Sequence, residues 1–420
     1  MAGNQNKKND PENYVPQRER TIRTLLISGI ALIVVAAIAI VGLLMMGGSQ
    51  TTVAVITAEA TEDPQQEVSS VLDTTPKAIE GTVVEGALGS GGHYKTDWYE
   101  LYFTAPVYPD KPENHKGSLD QYLTNFINTA ERTVDVADYD FDLANVADAM
   151  VAATKRGVRV RMVTDTDTIT NKDKNIQAAF DKLKKASITI VDDQRSPIMH
   201  NKFTVVDNKA VSTGSWNYTD GDTYHLNNNV IFIKNPQLAQ NYTTEFEKMF
   251  IKKDFGPNKD KGVPYPSLLI GNTKIENYFA AEDGVAQKIV DKIGTAKSSI
   301  YFMAFSFTHN GIGKAIMDKA KAGVKVGGVF ETTGSQTVYS QYKKMLEQKL
   351  DVYTDGNPWV MHHKVIILDE HITIFGSFNF SDNADKSNDE NLLIIDDEGL
   401  AKAFKTEYDR VLEVAKAKKK

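Results

Sequence analysis

The 420-residue sequence predicts an α/β fold built from two copies of one unit, and three observations predict it. His200-Asn201-Lys202 with Asp207 recurs as His362-His363-Lys364 with Asp369, at an identical Lys-to-Asp spacing. Gly214-Ser215-Trp216-Asn217 follows the first string at the same distance as Gly376-Ser377-Phe378-Asn379 follows the second. Each half also opens with a strand–helix–strand pattern. Two strings in register, each late in a similar half, imply one active site assembled from both.

Taken in order, residues 25–46 are nearly all apolar and carry no charge. At about 1.5 Å per residue, roughly twenty residues cross a hydrocarbon core of about 30 Å. A secretory signal has an apolar core of about 7–15 residues, so the segment reads as a retained transmembrane signal-anchor helix. Arg18, Arg20 and Arg23 precede it, and beyond it no Lys or Arg occurs before Lys77. The positive-inside rule then leaves residues 1–24 in the cytoplasm and the catalytic part outside it. Residues 47–96, rich in Gly, Ser, Thr and acids, read as a stalk or linker.

The first half, residues 97–255, has a helix end running into a strand over Ala130 to Tyr139. A helix near Leu143–Lys155, a Gly157 C-cap and a second strand follow. The second half, 266–416, repeats this with Ala296 to Phe305, a helix near Gly313–Lys321, Gly323 and a strand from Val324. These are βαβ patterns, so each half is expected to carry a sheet with helices against it. Pro236 to Pro266, with a helix near Gln237–Phe250, reads as the connection. The Lys-rich end after Ala401 reads as a final helix with a solvated tail and no functional role.

The alternation from His200 to Val206 is that of a strand, which sends His200 and Lys202 to one face. Asp207-Asn208-Lys209 is a turn, and Ala210 to Ser215 returns Ser215 and Asn217 toward His200. His362, Lys364, Asp369, Ser377 and Asn379 repeat the arrangement, with His363 alternating away. Gly214 and Gly376 are read as letting the backbone approach a ligand. Two Lys and two Asn supply donors for phosphoryl oxygens, one imidazole can attack phosphorus, and the other can protonate the leaving group. Ser215, Ser377 and Asn228 are expected to touch substrate. Asp207 and Asp369, at strand ends, are expected to be structural. This chemistry needs no metal and no cofactor.

The formal charge of -7 gives no global attraction to polyanions, so phosphate recognition must come from local basic residues. The absence of cysteine excludes disulfides, thiolate catalysis and Cys-based zinc sites.

These strings resemble the two signature motifs of the phospholipase D superfamily, HxKxxxxD with GSxN. The resemblance spans roughly Trp98 to Val414, and Tyr278 to Asp283 resembles the opening of the family's repeat. It implies two similar α/β lobes meeting at a shared site, and hydrolysis through a covalent phosphohistidine, with transfer to an alcohol as a variant. It further implies a carboxylate behind each motif His, eleven residues past the motif Asn. There the second copy has Glu390 and the first has Asn228. On this reading Glu390 partners His362, the protonated general acid, and Asn228 partners His200, the nucleophile.

Trp216, Phe378 and Phe380 are candidates for a substrate groove or for core, and Trp359 for the mouth of the site. His93, His115, His225, His309 and His371 lack ligand-like spacing. Three functions compete. The first is a membrane-anchored phosphodiesterase acting on phospholipid headgroups, active as a single chain. The second is an extracytoplasmic nuclease of the same superfamily. The third is a non-catalytic binding protein, against which two intact motifs argue.

Overall fold

The computed structural model describes residues 82–84, 90–115 and 117–418; the apolar span over 25–46 lies outside them. Strands of the first half are β1 (Thr82–Val84), β2 (Ser90–Lys95), β3 (Tyr99–Thr104), β4 (Thr133–Asp138), β5 (Arg159–Thr164), β6 (Thr189–Asp192), β7 (Lys202–Val206), β8 (Ala210–Gly214), β9 (Leu226–Asn227) and β10 (Asn229–Ile233). The second half has β11 (Ser267–Ile270), β12 (Thr273–Ala280), β13 (Ser299–Ala304), β14 (Lys325–Phe330), β15 (Asp351–Thr354), β16 (Val360–Met361), β17 (Lys364–Leu368), β18 (Ile372–Gly376) and β19 (Glu390–Asp396).

The first sheet runs β1-β2-β3-β10-β8-β7-β4-β5-β6 and the second β11-β12-β19-β18-β17-β13-β14-β15. From β3 and from β12 onward the two orders match strand for strand, so the fold is two similar α/β lobes. In both, the strands joined by the predicted crossover helices pair in parallel, and the motif hairpins β7–β8 and β17–β18 are antiparallel. Those helices are Ala144–Lys155 and Asn310–Lys321, ended by Gly157 and Gly323 at φ +88 and +92. Only a residue without a Cβ takes that left-handed conformation at little cost.

One reading is corrected. Within the stretch read as linker, residues 82–84 and 90–95 instead extend the first sheet as β1 and β2. β1 pairs with β2 and β2 with β3, which supplies backbone partners that sequence periodicity does not reveal. The final helix expected at the Lys-rich end runs over Glu398–Lys418, and Leu400, Phe404, Glu407, Tyr408 and Val411 on it are buried. It carries an apolar stripe at helical spacing, and that stripe packs into the core between the sheets.

Each sheet therefore has two apolar faces. One packs on its own helices: Val134, Val136, Met150 and Phe180 in the first lobe, Ile300, Phe302, Ile316 and Phe330 in the second. The other face meets its counterpart, and Phe103, Phe203, Tyr242, Phe279, Phe375 and Phe404 form one shared core. The lobes are also joined by backbone. β9 pairs with β16 in parallel, and Met199 forms the equivalent bridge with Asp389.

Candidate active site

The motif hairpins turn at Asp207-Asn208 and Asp369-Glu370, all four at φ between +53 and +55. That is the turn whose twist suits a two-residue hairpin. The Asp207 carboxylate accepts the backbone N–H groups of Glu131, Arg132 and Thr133, at 3.0, 2.7 and 2.8 Å. Asp369 does the same for Lys297, Ser298 and Ser299. Burial alone would raise both carboxyls, but these donors outweigh it and hold them below the ordinary range. Each Asp thus ties its hairpin to the start of β4 or β13.

His200 and His362 stand just before β7 and β17, both almost fully buried. Their backbones belong to the other half: His200 N–H donates to the Asp389 carbonyl at 2.9 Å, and His362 N–H to the Asn227 carbonyl at 3.0 Å. The side chains follow. His200 Nδ1 lies 2.6 Å from Glu390 Oε2, and His362 Nδ1 lies 2.9 Å from Asn228 Oδ1. The expected pairing of Glu390 with His362 and Asn228 with His200 is therefore reversed. The cause is the strand exchange, which sets each His beside the residue preceding its opposite lobe's acceptor.

Lys202 and Lys364 open β7 and β17, two residues past the histidines. Each Nζ donates to the carbonyl of its own motif His, at 2.9 and 2.7 Å, and rests against an aromatic ring, Tyr139 and Phe305 respectively. Asn379 is buried, and neither atom of its amide has a partner among the described residues. Asn217 uses its nitrogen on Asp222, at 3.1 Å, while its oxygen is unpartnered there. These amides and ammonium groups are suited to the oxygens of a phosphoryl group.

Ser215 and Ser377, expected to touch substrate, do not face a site. Ser215 Oγ donates to Asn228 Oδ1 at 2.8 Å and Ser377 Oγ to Glu390 Oε2 at 2.7 Å, and both are wholly buried. Asn228 is equally committed, its nitrogen donating to the Asp222 carbonyl at 3.0 Å. The two serines hold the acceptors of the histidines, and Asn228 is itself one of those acceptors. The role read for Gly214 and Gly376 also changes. A Cβ at either would fall on the carbonyl of Asn229 or Asn391, so glycine serves a close strand approach and not a ligand.

Burial, reinforced by Lys364, pushes the His362 imidazole down to about 3 against the opposing pull of Asp222. Lys202, from the other lobe, acts in the same sense as Lys364. Burial pushes the Glu390 carboxyl up to about 7, with Lys202 the largest opposing influence. The His362 ring is thus held neutral at neutrality, and the Asn228 oxygen beside Nδ1 suits a proton on that nitrogen.

The description "Cardiolipin synthase, PLD-like domain" matches this chain twice, over residues 123–250 and 289–412. The chain belongs to the phospholipase D-like domain family. The phospholipase D of Rickettsia bellii is 32% identical over 163 residues, 39% of this chain and 80% of that protein. The mitochondrial cardiolipin hydrolase of Xenopus tropicalis is 31% identical over 176 residues, 38% and 82% of the two chains. Among solved structures, the phosphatidylserine synthase of Haemophilus influenzae has the same fold at a TM-score of 0.57. It shares 13% identity and covers 70% of this chain and 85% of its own. In this phospholipase D-like chain Trp216, Phe378 and Phe380 are core. Trp359 sits by the β9–β16 junction, stacked on His225 at 4.6 Å with Tyr108 against it at 5.4 Å.

Sequence reading missed Asp222, whose Oδ1 lies 3.3 Å from His362 Nδ1. The signal was an acid five residues past Asn217 where the second copy has Ala384. It also missed the partners of His363, which turns from the site as expected. His363 Nε2 donates to Glu407, and its Nδ1 accepts from Asn229, both at 2.9 Å.

Proposed function

We propose that this site hydrolyses phospholipid headgroup esters through a phosphohistidine, with His362 as nucleophile and His200 as general acid. The enzyme is a phosphodiesterase of the phospholipase D type. The observation that carries the assignment is the crossed pairing: the Glu390 carboxylate meets His200 Nδ1 directly at 2.6 Å and suits a cationic ring, while the nearest partner of His362 Nδ1 is the Asn228 amide oxygen at 2.9 Å.

His362 Nε2 forms a bond to phosphorus as the bond from phosphorus to the headgroup oxygen breaks, and His200 gives its proton to that oxygen. His200 then takes a proton from water, whose oxygen displaces His362 Nε2 from phosphorus. An alcohol in place of water would make the reaction a transfer. Lys202, Lys364, Asn217 and Asn379 hold the phosphoryl oxygens through both steps.

The lipid substrate is supported by relatives named for phospholipase D and cardiolipin hydrolase activity. It is also supported by the apolar span over 25–46, which would hold the site beside a membrane, outside the cytoplasm. Both motifs lie in one chain, so a single chain suffices. Purified protein should release headgroup from phosphatidylcholine or cardiolipin vesicles and leave single-stranded oligonucleotide intact. Cutting of the oligonucleotide alone would make it a nuclease. On rapid acid-free quenching, His200→Ala should retain labelled phosphoenzyme and His362→Ala none; the opposite pattern exchanges the two roles.

A further inference from the structure

The two copies differ in where they keep a carboxylate. In one, Glu390 meets His200 directly, steadied by Ser377 and by Asn388, whose Nδ2 lies 3.2 Å from Oε1. In the other, the matching position is Asn228, which accepts from His362 Nδ1 and donates from its own nitrogen toward Asp222. Asp222 is on the short helix Asp220–Tyr224, five residues past Asn217. Five residues past Asn379 stands Ala384, buried in the apolar core of its lobe. Each histidine therefore has one carboxylate, reached by a different route.

We propose that Asp222 is the displaced carboxylate partner of His362, a positioning residue that takes over the task Glu390 performs for His200. The assignment rests on the phosphoryl-transfer reading of the site. Asp222 Oδ1 lies 3.3 Å from His362 Nδ1, 3.2 Å from Asn228 Nδ2, and 3.1 Å from Asn217 Nδ2. It reaches the histidine, the amide that holds the histidine, and the motif Asn at once. A carboxylate there fixes the proton on Nδ1, leaves the lone pair on Nε2, and offsets the positive charge that the ring gains on bonding to phosphorus. Burial would raise this carboxyl, but the hydrogen bonds it accepts from His362 and Asn217 outweigh it and hold it below the ordinary range. The charges facing His362 are Lys364 and Lys202 as well as Asp222, with Asp138 and Asp140 acting on Asp222 from the first lobe.

The bland alternative is that Asp222 only supports the turn, through the Asn217 N–H at 3.2 Å and the Thr219 hydroxyl at 3.2 Å. Relocating the charge separates the two. With bis(p-nitrophenyl) phosphate as probe and the full chain as enzyme, Asp222→Asn should lower kcat on the order of 100-fold, with KM within about twofold. Adding Asn228→Asp, which puts the carboxylate where the other copy keeps it, should recover about tenfold or more. A kcat for Asp222→Asn within about threefold of wild type overturns the proposal. So does a folded double variant without recovery, which would leave Asp222 a support for the turn.

Should the Asp222 variants fail to fold, Asn228→Asp alone decides. It sets two carboxylates on one imidazole and should move the acid limb of the rate profile up by about one pH unit; an unmoved limb overturns the proposal. Wild type silent on the probe would sink the phosphodiesterase reading instead. The His362 ring signal in 15N NMR then tests Asp222 by itself: Nδ1-protonated in wild type, a tautomer mixture in Asp222→Asn. An unchanged ring signal counts against the assignment.

Discussion

At the scale of single residues, the site sets two identical side chains beside unlike direct partners, a carboxylate for His200 and an amide for His362. His362 is neutral because the ring is buried and two lysines face it. This has a thermodynamic signature. Its folded value of about 3 lies below the ordinary 6.5, so between those values the unfolded chain binds a proton that the folded chain refuses. Its contribution to stability is complete above pH 6.5 and is lost as pH falls toward 3, with a slope approaching about 1.4 kcal/mol per pH unit. Urea unfolding of wild type and His362→Asn at pH 7 and pH 5 should show wild type losing roughly 1–2 kcal/mol more than the variant. An equal loss in both would mean that the ring is not held neutral. The motif residues themselves were legible in the sequence, because spacing fixes which side chains share a strand face. Their partners were not. Glu390 lies 190 positions from His200, and no local rule links them.

Among the elements, the hairpins, crossover helices and glycine caps were legible because each rests on interactions within a few residues. The Glu398–Lys418 helix was legible as a helix, but its buried stripe was not, because its lysines mark the solvated face. Its polar contact with the second motif strand is Glu407, which accepts from His363 and from Arg410 Nη2 at 2.6 Å, while Arg410 also reaches the Thr104 carbonyl. One helix thereby braces β3 and the second motif together. Glu407→Ala leaves Arg410 and His363 without their acceptor and should destabilise the fold by roughly 2–3 kcal/mol. Glu407→Gln, which keeps an acceptor, should lose less. Thermal or urea midpoints check both, and equal losses would assign the effect to packing alone.

The whole molecule adds a buried ionic cluster at the connection between lobes, in a stretch whose Pro and Gly content suggests only a linker. Lys259, fully buried, meets Asp389 at 2.7 Å and Glu282 at 3.3 Å and also bonds Glu245. Burial would lower its ammonium, but those three carboxylates hold it well above the ordinary lysine value. Removing one partner of a buried charge set is more damaging than never having had it. Lys259→Met should therefore destabilise the protein by roughly 3–5 kcal/mol in urea unfolding. It should also lower kcat, because Asp389 is the residue whose carbonyl receives the His200 N–H. Loss of stability with unchanged kcat would show that the cluster joins the lobes without steering the histidine.

The strand exchange at Met199–Asp389 and β9–β16 also has a genetic meaning. A mutation downstream of one motif is felt by the histidine of the other, so neither half can drift toward a new chemistry alone. In a library selected for activity, changes at 390 should accompany changes around 200, and changes at 228 or 222 those around 362. Recombining halves from two divergent relatives should break both linkages at once, even where each parent half folds well. The inherited unit of this enzyme is then the crossed pair, although its repeated unit is the half.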